Sequence, residues 1–267
     1  MAARIQRDEV WKKRWGMEAG RWVEAAERCF AKWEARGAWR EVALGGVWVV
    51  PEFGLEDDGK QWTKGYERRK STGFTHPANK QNHIARSLLA LYRATGKEVY
   101  RDRAAAWWRV MKSRIRRVDE GRRWVWNYWD PAGPWDYEAS GKPRHWVGVH
   151  PNGGYYGIDV EGIVEAFEHG LVFERADLDS LVTTQLDFMW DGRVRGAKFS
   201  RLDGGPVDSR WKDSPGVLWT ALAPYSAKLR ELFEVNHEPG GWGGLASTPW
   251  YLEMLRQRRI KPFESAG

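Results

Sequence analysis

The chain has 267 residues, 42% hydrophobic and 30% charged, with a formal net charge of +7 at pH 7. This composition excludes a mainly disordered or fibrous chain, and the length allows one full core, so a single domain over residues 1–267 is expected. No window approaches the roughly 20 consecutive apolar residues that cross a bilayer, so no membrane association is expected.

The start, MAARIQRDEVWKKRW, lacks the apolar stretch of an export signal, which reads as cytoplasmic or as the mature part of an exported protein. In chain order, the first amphipathic helix is predicted over Arg21 to Trp33, with Cys29 as a small buried hydrophobe. A single cysteine permits no disulfide within the chain. Residues 42–53, VALGGVWVVPEF, read as a short hairpin or strand of ambiguous period. The basic run Glu67-Arg68-Arg69-Lys70 reads as a solvated face.

Apolar positions spaced by three and four then predict a helix through Ile84, Leu88, Leu91 and Tyr92, ended by Gly96. A partner helix follows through Ala104, Trp107, Trp108 and Met111. Arg114 to Arg117 form a second basic run. The same pairing returns at Val160, Ile163, Val164 and Phe167, breaks at Gly170, and resumes through Leu178, Leu181, Leu186 and Met189. A weaker third pair runs from Val217 and Leu222 through Leu229 and Phe233 to Tyr251 and Leu255. Long loops rich in Trp, Gly, Pro and Tyr separate these pairs, notably WVWNYWDPAGPWDY, HWVGVHPNGGYYG and HEPGGWGGLASTPWY. Such loops in a compact domain usually carry function. The expected fold class is all-α, an incomplete (α/α) toroid of helical hairpins with Trp- and Gly-rich loops; an ordinary helical bundle is the alternative.

Nineteen tryptophans exceed what core packing needs, and their flat faces stack on sugar rings as they do on bases. With no nucleic-acid motif and scattered basic residues, an acidic polysaccharide is the expected partner and nucleic acid is not. Trp124, Trp126, Trp129, Trp135 and Trp146 are candidate stacking groups, about half of them expected in packing.

Two polar stretches run into predicted helices. In the first, Asn79, Lys80, Asn82 and His83 stand where helix N–H groups favour a carboxylate, with capping by Thr75 or Asn79 as the structural alternative. In the second, His150, Tyr155 and Tyr156 precede the helix through Ile163. Here the sequence resembles polysaccharide lyases of the (α/α) toroid type, especially alginate and glucuronan lyases, over residues 74–190. The resemblance pairs Asn82-His83 with the family's Asn-His and Tyr156 with its catalytic tyrosine. It departs at the arginine, since Arg144 stands twelve positions before Tyr156.

That resemblance implies β-elimination on a uronate. Removing the C5 proton builds charge beside a carboxylate, so Asn82, with Arg144 or Lys80, would neutralise it. His83 or Tyr156 would be the base, Tyr156 the acid at O4, and His150 would neutralise the carboxylate or polarise Tyr156. Tyr155 competes for the tyrosine's part. Trp126, Trp129, Trp146, Arg144, Lys80 and Tyr155 are the expected substrate contacts, with no cofactor and no metal. A C5 epimerase is a variant of this reading. The rivals are a glycoside hydrolase using carboxylates among Asp130, Asp136, Asp159 and Glu161, and a glycan-binding protein without catalysis. His237 and the run from Gly240 to Gly244 have no phosphate-loop context.

Overall fold

A computed structural model describes residues 2–51, 72–206 and 216–236. The protein is mostly helical, 56% helix and 11% strand, with seven α-helices among the described residues. The chain divides into two compact units: residues 1–114 with 127–148, and 115–126 with 149 onward.

Unit 1 opens with α1 (Ala2–Arg7) and the 27-residue α2 (Glu9–Ala35). Asp8 starts α2 by accepting the Val10 and Trp11 N–H groups, both at 3.0 Å. The helix begins twelve residues before the expected Arg21, because it buries only Ala19 and so shows no apolar stripe in the sequence. Cys29 is exposed on it, correcting the expected buried thiol: Phe30 and Trp33, not Cys29, turn toward the rest of the unit. An antiparallel hairpin follows, β1 (Trp39–Val42) and β2 (Gly45–Trp48), pairing Trp39 with Trp48. A side chain at Gly45 would collide with the Ala106 carbonyl, so glycine lets β2 lie directly on the next helical pair.

That pair is α3 (Ala78–Thr95) and α4 (Glu98–Arg114). Gly96 adopts the left-handed conformation, φ 71°, that ends α3 as expected. Ile84, Ala85, Leu88, Leu89 and Leu91 meet Ala104, Trp107, Trp108 and Met111 in the core. Each large side chain buried there contributes on the order of 1.5–3 kcal/mol. Residues 127–148 complete the unit as an extended loop with one 3-10 turn, Pro134–Asp136.

Unit 2 contains a second hairpin, β3 (Arg116–Val118) with β4 (Arg123–Val125), then α5 (Gly154–Glu168) and α6 (Arg175–Thr183). The expected break at Gly170 is present, with φ 66°. The helix predicted through Met189 closes instead in a π turn, Thr184–Met189. Gln185 fixes that turn by donating to Val217 O and accepting from Trp219 N, each at 2.8 Å. A 3-10 turn (Thr220–Tyr225) and α7 (Ala227–Asn236) finish the described part. Val160, Ile163, Leu178, Leu181, Leu222 and Leu229 form its interior. Tyr251, Leu255, His237, the Gly240–Gly244 run, the HEPGGWGGLASTPWY loop and the Glu67–Lys70 run lie outside the described residues. No described helix is long and apolar enough to cross a membrane.

Candidate active site

Four of the residues singled out for chemistry fall in different units, Asn82 and His83 in unit 1 and His150 and Tyr156 in unit 2. In unit 1, α3 starts six residues earlier than its apolar pattern, at Ala78, so Asn79 to His83 form its first turns. Pro77 at the cap makes no side-chain hydrogen bond, and the Asn79 side-chain oxygen accepts the N–H of its neighbour Lys80 at 3.0 Å.

This helical turn has an open and a buried face. Lys80 and His83 are exposed, while Gln81 and Asn82 are fully buried. Gln81 accepts from Trp48 N–H and donates to Trp48 O, locking β2 to α3. The Asn82 amide oxygen accepts the indole N–H of both Trp107 and Trp108, each at 3.0 Å, and its nitrogen lies 3.4 Å from Met111 Sδ. In place of the expected carboxylate contact, this amide holds two core tryptophans. The imidazole of His83 is biased toward its neutral form by partial burial, then by Arg86 and Lys80.

The loop of unit 1 separates buried from open aromatics. Trp129 is buried and donates to Thr75 O at 2.7 Å. Asp136, also buried, accepts from Thr75 N–H at 2.9 Å, Thr75 Oγ1 at 2.6 Å and Ala132 N–H at 2.8 Å, which makes it a clamp rather than half of a hydrolytic carboxylate pair. Trp146 is 51% exposed. Arg144, also exposed, lies 4.0 Å over the Phe74 ring and donates to Trp135 O at 2.9 Å. An open indole and a cation thus stand two residues apart on this loop.

In unit 2 the second polar stretch folds into a tight corner at the start of α5. Asn152 Oδ1 accepts Gly154 N–H at 2.9 Å, and Asn152 N–H donates to His150 Nδ1 at 3.0 Å. Since Nδ1 accepts, the ring proton of neutral His150 resides on Nε2. Tyr156 Oη accepts His150 N–H at 2.7 Å. The Tyr155 ring meets the His150 imidazole edge-on, 4.7 Å between centroids, and both residues are half-buried. The corner is seated closely, because a Cβ on Gly153 would come within 2.5 Å of Gly216 Cα.

Beneath it, Tyr156 is 2% exposed, with Trp126 edge-on at 5.4 Å. Trp126 is itself buried and donates to Asp159 Oδ2 at 2.9 Å. Trp126 and Trp129 therefore offer no open face for stacking, correcting that expectation; their indoles fill cores and bond there. Asp159 is buried as the indole's acceptor, a structural role.

Burial raises the Tyr156 pKa strongly, with Asp159 and Asp203 adding to the rise and the His150 N–H bond and Arg201 opposing it. The phenol stays protonated near neutrality, so it cannot serve as the base. Arg201 escaped the sequence reading. Its guanidinium donates to Val149 O at 3.1 Å, one residue before His150, and pairs with Asp203 at 2.9 Å. No motif marks it, and only the fold brings it to the corner.

Among the described residues, no group of three or more His, Cys, Asp or Glu side chains is placed to hold a metal ion. Comparisons with protein-family models, curated proteins and solved structures give no match.

Proposed function

We propose that the protein is a lyase that cleaves an acidic, uronate-containing polysaccharide by β-elimination, on an incomplete (α/α) toroid. The observation that carries this reading is the contact of His150 with Tyr155 at the start of α5, with Arg201 bonded one residue away. His150 Nε2–H would donate to the uronate carboxylate and hold the charge that develops when C5 is deprotonated. Tyr155, more open than Tyr156, would take the C5 proton after its own hydroxyl proton has passed to solvent. As C4=C5 forms and the C4–O4 bond breaks, the same phenol would return a proton to O4, so one residue serves both steps. Tyr156 is a positioning residue, holding the His150 backbone from below.

The test is a screen of alginate, glucuronan, pectate and glycosaminoglycans for the ultraviolet absorbance of an unsaturated uronate product. Tyr155→Phe should abolish that product and spare binding. New reducing ends without the absorbance would transfer the site to hydrolysis, and full activity in Tyr155→Phe would remove the assigned acid and base.

A second reading, glycan binding without cleavage, is favoured by one specific observation: Trp146 is open to solvent beside the exposed Arg144. Polymer binding with no product of either kind would select it.

A further inference from the structure

We infer that the tryptophan stripe of α2 is an accessory platform along which an acidic polysaccharide lies, an inference that rests on the proposed ligand class but not on the proposed chemistry. Trp11, Trp15 and Trp22 are 53%, 43% and 49% exposed, far more than bulky indoles normally remain. At about 100° per residue, the three fall within about 40° of one another around the helix, so they share one face.

Their spacing bears on the occupant. At about 1.5 Å rise per residue, Trp15 follows Trp11 by about 6 Å and Trp22 follows Trp15 by about 10.5 Å, close to one and two linked pyranose rings. Flat aromatic faces at such intervals suit successive sugar rings of an extended chain. Charge agrees with this. Lys12 lies to one side of the stripe and Arg14 and Arg21 to the other, roughly 80–100° from its centre. Arg14 reaches over the Trp15 ring, 5.2 Å from its centroid. On and beside the stripe the cations Lys12, Arg14 and Arg21 outnumber the acid Glu18, while Lys13 lies on the opposite face of the helix. Uronate carboxylates along a chain lying on the tryptophans would meet these flanking cations.

Two other occupants fit less well. Glu18 falls within the stripe, between Trp15 and Trp22, and a carboxylate there is costly against hydrocarbon but accepts hydrogen bonds from sugar hydroxyls. The stripe carries no Leu, Ile or Val, the aliphatic knobs through which helices of two copies interlock.

The experiment compares the parent protein with Trp11→Ala/Trp15→Ala/Trp22→Ala, and with the charge variant Lys12→Glu/Arg14→Glu/Arg21→Glu, which leaves the indoles in place. Binding to sodium alginate and sodium polygalacturonate is measured by affinity electrophoresis, with helix content followed by circular dichroism. Both variants should weaken binding of whichever polymer the parent binds at least about tenfold, while cleavage of short oligosaccharides stays at the parent rate. Parental affinity in both variants overturns the platform and leaves the proposed lyase standing. A parent that binds neither polymer removes the ligand class and the platform with it. If the parent binds anionic phosphatidylserine vesicles through these tryptophans and not the polymers, or if the tryptophan variant loses only a concentration-dependent dimer, the stripe serves a membrane or a second copy and the inference falls.

Discussion

Replacing Asn82 by leucine, equal in heavy-atom count but unable to accept a hydrogen bond, separates a structural amide from a catalytic one. The Asn82 oxygen takes the indole N–H of Trp107 and of Trp108 in a fully buried setting. The variant strands two buried donors, each costing about 1–3 kcal/mol, so a loss of about 4 kcal/mol is expected. At roughly 2–4 °C per kcal/mol for a domain of this size, thermal unfolding should begin on the order of 10 °C lower. Urea titration monitored by tryptophan fluorescence reads this directly. A variant within about 1 kcal/mol of the parent would refute the reasoning. One that is equally stable yet inactive would return Asn82 to the uronate carboxylate, where the sequence first put it.

His76 gives a prediction in pH. Burial and, less, Lys80 lower its pKa to about 4, and its Nε2 is buried beneath the stacked Trp33 without a hydrogen-bond partner among the described residues. An unfolded histidine titrates near 6.5, so the folded state holds fewer protons between the two values. This contribution to stability is full above about 6.5 and is lost as pH falls toward 4, by at most about 3 kcal/mol. His76→Phe should lessen the loss of stability between pH 7 and 5; an unchanged slope would contradict the assignment. At Gly153, alanine suits the backbone but not the space, since its Cβ would press on Gly216. Gly153→Ala should lower stability by about 1–3 kcal/mol and reduce turnover by shifting His150 and Tyr155. Parental behaviour on both measures would mean the corner tolerates movement.

Spacing made the helical hairpins legible. The runs through Ile84–Tyr92 and Ala104–Met111 are α3 and α4 packed on each other, and the glycine stops at 96 and 170 are where the pattern put them. The start of α3 was not legible, because Asn79, Gln81 and Asn82 are polar yet buried, and polarity in a sequence reads as surface. The tryptophans misled for the converse reason: an indole carries one N–H, and Trp126 and Trp129 each find an acceptor in the interior, so residues expected to stack on ligand are core. Within the candidate site, His150, Tyr155 and Tyr156 are neighbours in sequence and were visible. Arg201 joins them through a carbonyl contact that no local pattern encodes.

The excursion of residues 115–126 into unit 2, between two stretches of unit 1, constrains how the protein can be cut or made. A fragment ending at residue 148 would hold all the described residues of unit 1, yet it would carry β3 and β4 without their partners. Trp124 N–H would lose Thr184, and the Trp126 indole would lose Asp159. During synthesis the same short hairpin must wait for α5 and α6 to emerge, an interval in which two large aromatic side chains stand exposed to other chains. Soluble expression should therefore fall sharply for any truncation between residues 148 and 184, even though the first unit's own core is complete.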